Sequence, residues 1–179
     1  LPANEAVSVH PELEYSLVHL VEQDEILVLA TALVEDAMGR YGVTDFNVIA
    51  NAKGEAFGQL PGQDAAPFSV THPFMTVEGA EKTVPVITGT HVTADAGTGS
   101  VHTAPMHGAD DYTVSNQYGI SSEAMLVSAE GTFNNPVLES LELAGLSVAD
   151  KGNFRVLGIL GEKGALIKKL KIEHSYPHC

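Results

Sequence analysis

Basic residues are scarce: 9 Lys and Arg stand against 23 Asp and Glu in 179 residues, for a formal net charge of −14. Holding nucleic acid by broad phosphate neutralisation needs clustered cations, so the chain as a whole is excluded from that class. Four of the cations, Lys163, Lys168, Lys169 and Lys171, fall near the C-terminus and read as a solvated strand edge rather than a phosphate-facing patch. Cysteine is scarcer still. Cys179 alone excludes an intrachain disulfide and a cysteine-rich zinc site, and fits a reducing compartment. No apolar run approaches the length of a membrane-spanning helix, and "LPANEAVSVHPELEY" has neither the basic start nor the apolar core of a signal peptide. The expectation is a soluble chain with no membrane partner, without internal repeats or low-complexity segments.

What is present is a 44% hydrophobic composition, enough for one sizeable core, so a single domain over residues 1–179 is expected. The start at Leu1 without an initiator methionine and the ending "HSYPHC" suggest a piece of a longer polypeptide. Short apolar stretches between turn residues dominate. "YSLVHLV" and "EILVLA" flank "EQD" and read as a hairpin, and further strands are expected at "FNVIA" from Phe46, "VPVIT" from Val84, "SVHTA" from Ser100, "AMLVS" from Ala124 and "ALIKKLKI" from Ala165. Helical spacing follows Thr31, where Val34, Met38 and Tyr41 share a face before Gly42. Two more helices are expected from Asp110 to about Tyr118, and from Asp150 to about Lys163 with Phe154, Leu157 and Leu160 on one side. "GQLPGQDAAP", residues 58–67, reads as an exposed loop. The class is α+β, mainly β, with a mixed or antiparallel sheet that closes toward a barrel.

The densest polar stretch is "GTGSVHTAPMHGADDY", residues 97–112. Gly97 and Gly99 around Thr98 allow a tight turn and close approach of a ligand to the backbone, but no Walker lysine follows. Alternation puts Val101 and Thr103 on one strand face and Ser100 and His102 on the other, and Pro105 ends the run. Asp110 and Asp111 then fall in the first turn of a helix, where the helix dipole favours a carboxylate whether or not a site is present. A metal set of His102, His107 and one aspartate matches neither an H-E-x-x-H helix nor a known zinc ribbon.

"DAGTGSVHTAPMHGADDYTVSNQYGI", Asp95 to Ile120, resembles a signature segment of the editing domain, or connective polypeptide insertion, of isoleucyl-tRNA synthetase. "LPANEAVS", "THPFM" from Thr71 and the closing "HSYPHC" agree with that family in the same order, so the likeness spans the chain. It implies a six-stranded barrel-like β core with peripheral helices. It implies hydrolysis of valine mischarged on the isoleucine tRNA, with isoleucine excluded; a non-catalytic tRNA-end-binding or docking module is the alternative.

By the same resemblance, Asp111 would hold the substrate's α-ammonium and His102 would lie against the amino-acid side chain, making these two the residues at the chemistry. Gly97, Thr98 and Gly99 would meet the terminal nucleotide and Asn4 would help shape the pocket. A threonine-rich segment would precede Leu1. The implied partners are the 3′-terminal adenosine of the aminoacylated tRNA, its valine moiety and the remainder of the synthetase. No cofactor is implied for this part, ATP and Mg belonging to the catalytic part, and the implied location is cytoplasm or an organellar matrix.

Overall fold

A computed structural model describes residues 1–121, 125–134 and 136–169. Seven strands and three helices alternate: β1 (Ala6–Val9), β2 (Glu14–Leu20), β3 (Glu25–Ala30), α1 (Val34–Tyr41), β4 (Phe46–Lys53), β5 (Ser69–Val77), β6 (Ala80–Thr88), β7 (Ser100–Thr103), α2 (Ala109–Gln117) and α3 (Lys151–Glu162). The strands form a four-stranded sheet in the order β5-β6-β1-β7 and a three-stranded sheet in the order β3-β2-β4. Among the described strands β1 and β6 run parallel and the other pairs are antiparallel. No helix among the described residues is long and apolar enough to cross a membrane.

The architecture is mixed α+β, but the expected six-stranded barrel is not formed; the sheets make a half-barrel. Where a closing ladder would run, the two sheets meet through isolated hydrogen bonds. The Ala30 amide donates to the Thr98 carbonyl at 2.8 Å and the Tyr15 hydroxyl donates to the Gly99 carbonyl at 2.6 Å. Val9, Tyr15, Ala30, Leu33 and Val86 fill the space beneath that seam.

The hairpin of β2 and β3 pairs from Tyr15 with Ala30 to Leu20 with Glu25, as the sequence predicts. Its inner face, Val18, Leu20 and Leu29, packs against Val34, Ala37 and Met38 of α1, and the Gly42 amide closes that helix onto the Met38 carbonyl. The third helix is turned from its expected face. Gly152, Val156 and Ile159 are buried while Phe154 is exposed beneath the Lys169 ammonium. A Cβ at Gly152 would sit 2.6 Å from the Ser147 carbonyl oxygen and 2.7 Å from the Phe133 ring. The helix therefore presents its smallest residue where the approach is closest.

Among the described residues two expected strands do not form. Met125–Ser128 of "AMLVS" contributes only a single bridge, Val127 with Phe133, and residues 165–169 form no strand. Lys163, Lys168 and Lys169 accordingly line no strand edge, while Lys171 and the closing "HSYPHC" lie outside the described residues.

"THPFM" is a bulge in β5. Five steps along that strand, Thr71 to Thr76, match only two along β6, Thr83 to Glu81. Extra residues leave ladder amides unpaired, and His72 takes them up: its Nδ1 accepts from the Phe74 and Met75 amides at 3.3 and 3.0 Å. Nε2 must then carry the proton, and it donates to the Leu1 carbonyl at 3.0 Å. The bulge sends Phe74 and Met75 into a core with Leu126, Phe133, Leu138, Leu143, Val156 and Ile159.

Burial holds the His72 imidazolium below its ordinary value, and the two facing amides leave no room for a second proton. The unfolded chain binds that proton first, at about pH 6.5. The associated stability is complete above that pH and is lost as pH falls toward the lowered folded value, at no more than about 1.4 kcal/mol per pH unit. His72→Asn keeps an acceptor near the Nδ1 position without titrating. In urea unfolding at pH 7.5 and 5.5, the variant should lose less stability on acidification than the parent. An unchanged difference between the two pH values would disprove the assignment.

Candidate functional site

β7 has four residues, and its last backbone groups are all claimed. Thr103 is fully buried, its hydroxyl paired with that of Ser8 at 2.7 Å. The Thr103 amide donates to Asn4 Oδ1 at 3.3 Å and its carbonyl accepts from the Glu5 amide at 2.9 Å. Alternation turns the neighbouring His102 outward, as the sequence predicts. Asn4 is thus a buried clamp on the end of β7.

Pro105 stops the strand, the His107 amide turns back to the Ala104 carbonyl at 2.9 Å, and α2 starts after an extended Gly108. Asp110 and Asp111 stand in its first turn. Asp111 Oδ2 accepts the Ala104 amide at 3.1 Å, so this carboxylate caps the end of β7 while lying in the favourable field of the helix start. A Cβ on Gly108 would come within 3.0 Å of the Asp111 carboxylate, which therefore folds back over a residue without a side chain.

The two aspartates diverge. Asp110 lines a polar cavity of about 170 Å³ with His91, Thr113 and Gln117. On the other side, His102, Ala104 and His107 line a cleft of about 350 Å³ whose opposite wall is Val127, Phe133, Val148 and Val156. Asp111 is not among the lining residues; it is tied to this cleft through its bond to the Ala104 amide. Among the described residues no three His, Cys, Asp or Glu side chains are grouped as a metal set, so His102, His107 and Asp110 do not assemble one. Burial holds the His102 imidazolium below the ordinary value and the nearby Asp111 carboxylate opposes that. The imidazole is neutral near pH 7.

Gly97, Thr98 and Gly99 lie at the opposite end of β7, separated from Thr103 by about 10 Å of strand. The carbonyls of Thr98 and Gly99 are occupied by Ala30 and Tyr15. The structure thus gathers His102 and Asp111 at one end, and uses Gly99 at the other to seat a neighbouring strand. The apolar cleft wall went unread because its members come from separate loops and one helix, with no local periodicity among them.

No family model matches the chain. It is similar along its whole length to isoleucine–tRNA ligases. The enzyme of Alkalilimnicola ehrlichii is 45% identical over 179 residues, that of Coxiella burnetii 44% over 181, and that of Methylococcus capsulatus 42% over 179. The chain spans 17% of the length of each of these relatives. Its fold is similar to that in the crystal structure of GlLeuRS-CP1, with a TM-score of 0.62 over 97% of this chain and 79% of that one, at 15% identity.

Gly97 and Gly99 both hold left-handed backbone, φ 79° and 74°, but a Cβ at Gly97 meets nothing, whereas one at Gly99 would overlap the Ala30 Cβ. Gly97→Ala should cost about 1–2 kcal/mol for the backbone alone, and Gly99→Ala clearly more. Adding Ala30→Gly to Gly99→Ala should recover the excess but not the backbone part, read as a double-mutant cycle in urea. Equal costs at the two glycines would overturn the seam.

Proposed function

We propose, from the premise that this chain is homologous along its whole length to a segment of isoleucine–tRNA ligases, that it is the post-transfer editing domain of such an enzyme. It hydrolyses valine esterified to the terminal adenosine of the isoleucine tRNA and excludes isoleucine. The observation that carries the reading is the placement of the Asp111 carboxylate, folded back on Ala104, near a His102 held neutral by burial at the edge of an apolar cleft. The need is physical: one methylene is worth only about 1–3 kcal/mol in a hydrophobic pocket, and isoleucine against valine is the standard instance of that limit. A second site that takes the smaller residue corrects the errors of the first.

Asp111 binds the α-ammonium. Its bond to Ala104 engages one carboxylate oxygen and leaves the negative charge to orient a cation through a strong charge-assisted hydrogen bond. A neutral His102 does not repel that ammonium, and its ring sets the limit on side-chain bulk. Water adds to the ester carbonyl carbon, the bond to the ribose oxygen breaks, and that oxygen leaves with a proton. A carboxylate held by an ammonium is a poor base, so backbone groups and the substrate's own ribose hydroxyl position the water.

Asp111→Asn retains an acceptor for the Ala104 amide and removes the charge. In calorimetric titration with non-hydrolysable aminoacyl-adenosine analogues, the parent should prefer the valyl over the isoleucyl form. Asp111→Asn should bind the valyl analogue about 10–100-fold more weakly, the worth of a hydrogen bond to a charged group, while melting like the parent. Unchanged affinity would exclude the ammonium role.

His102→Ala should admit the isoleucyl analogue. Below the lowered His102 pKa, the imidazolium repels the ammonium, so the parent's affinity should fall on acidification below the ordinary histidine range. His102→Ala should lack that component. A persistent valine preference in His102→Ala would place the size filter elsewhere.

A further inference from the structure

The half-barrel leaves one mouth unsealed. Residues paired across β2, β3 and β4 share a face: Leu17 lies between Val28 and Ala50, and His19 pairs with Ile26 in the next row. This is the face away from α1, and Ile26 and Val28 are 54% and 40% exposed. Leu17 and Val28 also line a cavity of about 280 Å³ with Phe57, Phe68, Val70 and Val86. Phe68 is itself 52% exposed and Val70 39%. Sheet face and cavity therefore form one continuous apolar surface on the side of the seam opposite α1.

A contiguous apolar surface of this kind is an interaction site, unlike scattered exposed aliphatics. Its chemistry selects the partner. The cavity lining holds no ionisable side chain, on a chain of net charge −14, so it offers nothing to a phosphate backbone. It suits aliphatic and aromatic side chains of a protein. The chain spans 17% of the length of its ligase relatives, so most of such an enzyme is available to supply them.

We infer that the Ile26, Val28 and Phe68 surface docks against another part of the ligase polypeptide, which inserts apolar side chains into the open mouth. The inference rests on the proposed membership in a longer ligase but not on ester hydrolysis, so labelling tests the surface and analogue binding tests the pocket.

In the full ligase, Val28→Cys and Phe68→Cys are compared with Val77→Cys, a 56% exposed position at the β5–β6 hairpin. Alkylation by a maleimide is followed at each site by mass spectrometry. The two surface cysteines should react at least tenfold more slowly than Val77→Cys without tRNA and at all protein concentrations. Adding Val28→Asp to Phe68→Cys should restore fast labelling, which local burial alone would not do. Rates equal to that of Val77→Cys would overturn the proposal. Protection that appears only with tRNA would reassign the surface to nucleic acid, and protection that grows with protein concentration would reassign it to a second copy.

Discussion

A single phenol joins the two sheets. The Tyr15 hydroxyl, fully buried, accepts the His10 amide at 2.9 Å and donates to the Gly99 carbonyl at 2.6 Å. Burial pushes its pKa up, so it stays a donor at any ordinary pH. Losing it would strand the buried Gly99 carbonyl, at about 1–3 kcal/mol, and leave the part-buried His10 amide without its partner. The bond from the Ala30 amide to the Thr98 carbonyl adds a second link beside it. Because no ladder runs there, the placement of β7, and with it the candidate site, depends on these few bonds and on the missing Cβ of Gly99.

From that seam the order runs along β7 to its other end. Ser8 and Asn4 hold Thr103, Pro105 ends pairing, and the amide of Ala104 would be left without an acceptor if Asp111 did not reach back to it. One carboxylate therefore closes a strand and starts a helix. His102 is turned outward by the same alternation that buries Thr103. The proposed chemistry uses the two groups that the local backbone accounting already places: the Asp111 carboxylate and a histidine kept neutral by partial burial. The proposed function is compatible with the acidity of the chain, because it asks only the esterified end of a tRNA to enter the cleft.

Legibility followed the range of the interactions. The β2–β3 hairpin, α1 and α2 were readable because period, cap and turn residues lie within a few positions of one another. β1 was missed because four residues carry too little pattern, and β5 because its bulge breaks the alternation after Thr71. The face of α3 was misread because apolar count favoured Phe154, whereas close packing favoured Gly152. The outward His102 and the helix-start aspartates were legible, but the apolar wall opposite them was not.

The amino-acid sequence alone determined the local elements, the outward turn of His102, the carboxylates at the start of α2 and the kinship carried by residues 95–120. Those properties arise from steric and hydrogen-bonding preferences between near neighbours, which any short window records. Tertiary structure alone decided that the barrel stays half open, that Asp110 lines a cavity of its own while Asp111 turns back to the Ala104 amide, that Gly99 seats Ala30, and that Val127, Phe133, Val148 and Val156 share a cleft with His102. Each of these joins residues far apart in the chain, and steric exclusion and burial act on such pairs only once packing has brought them together.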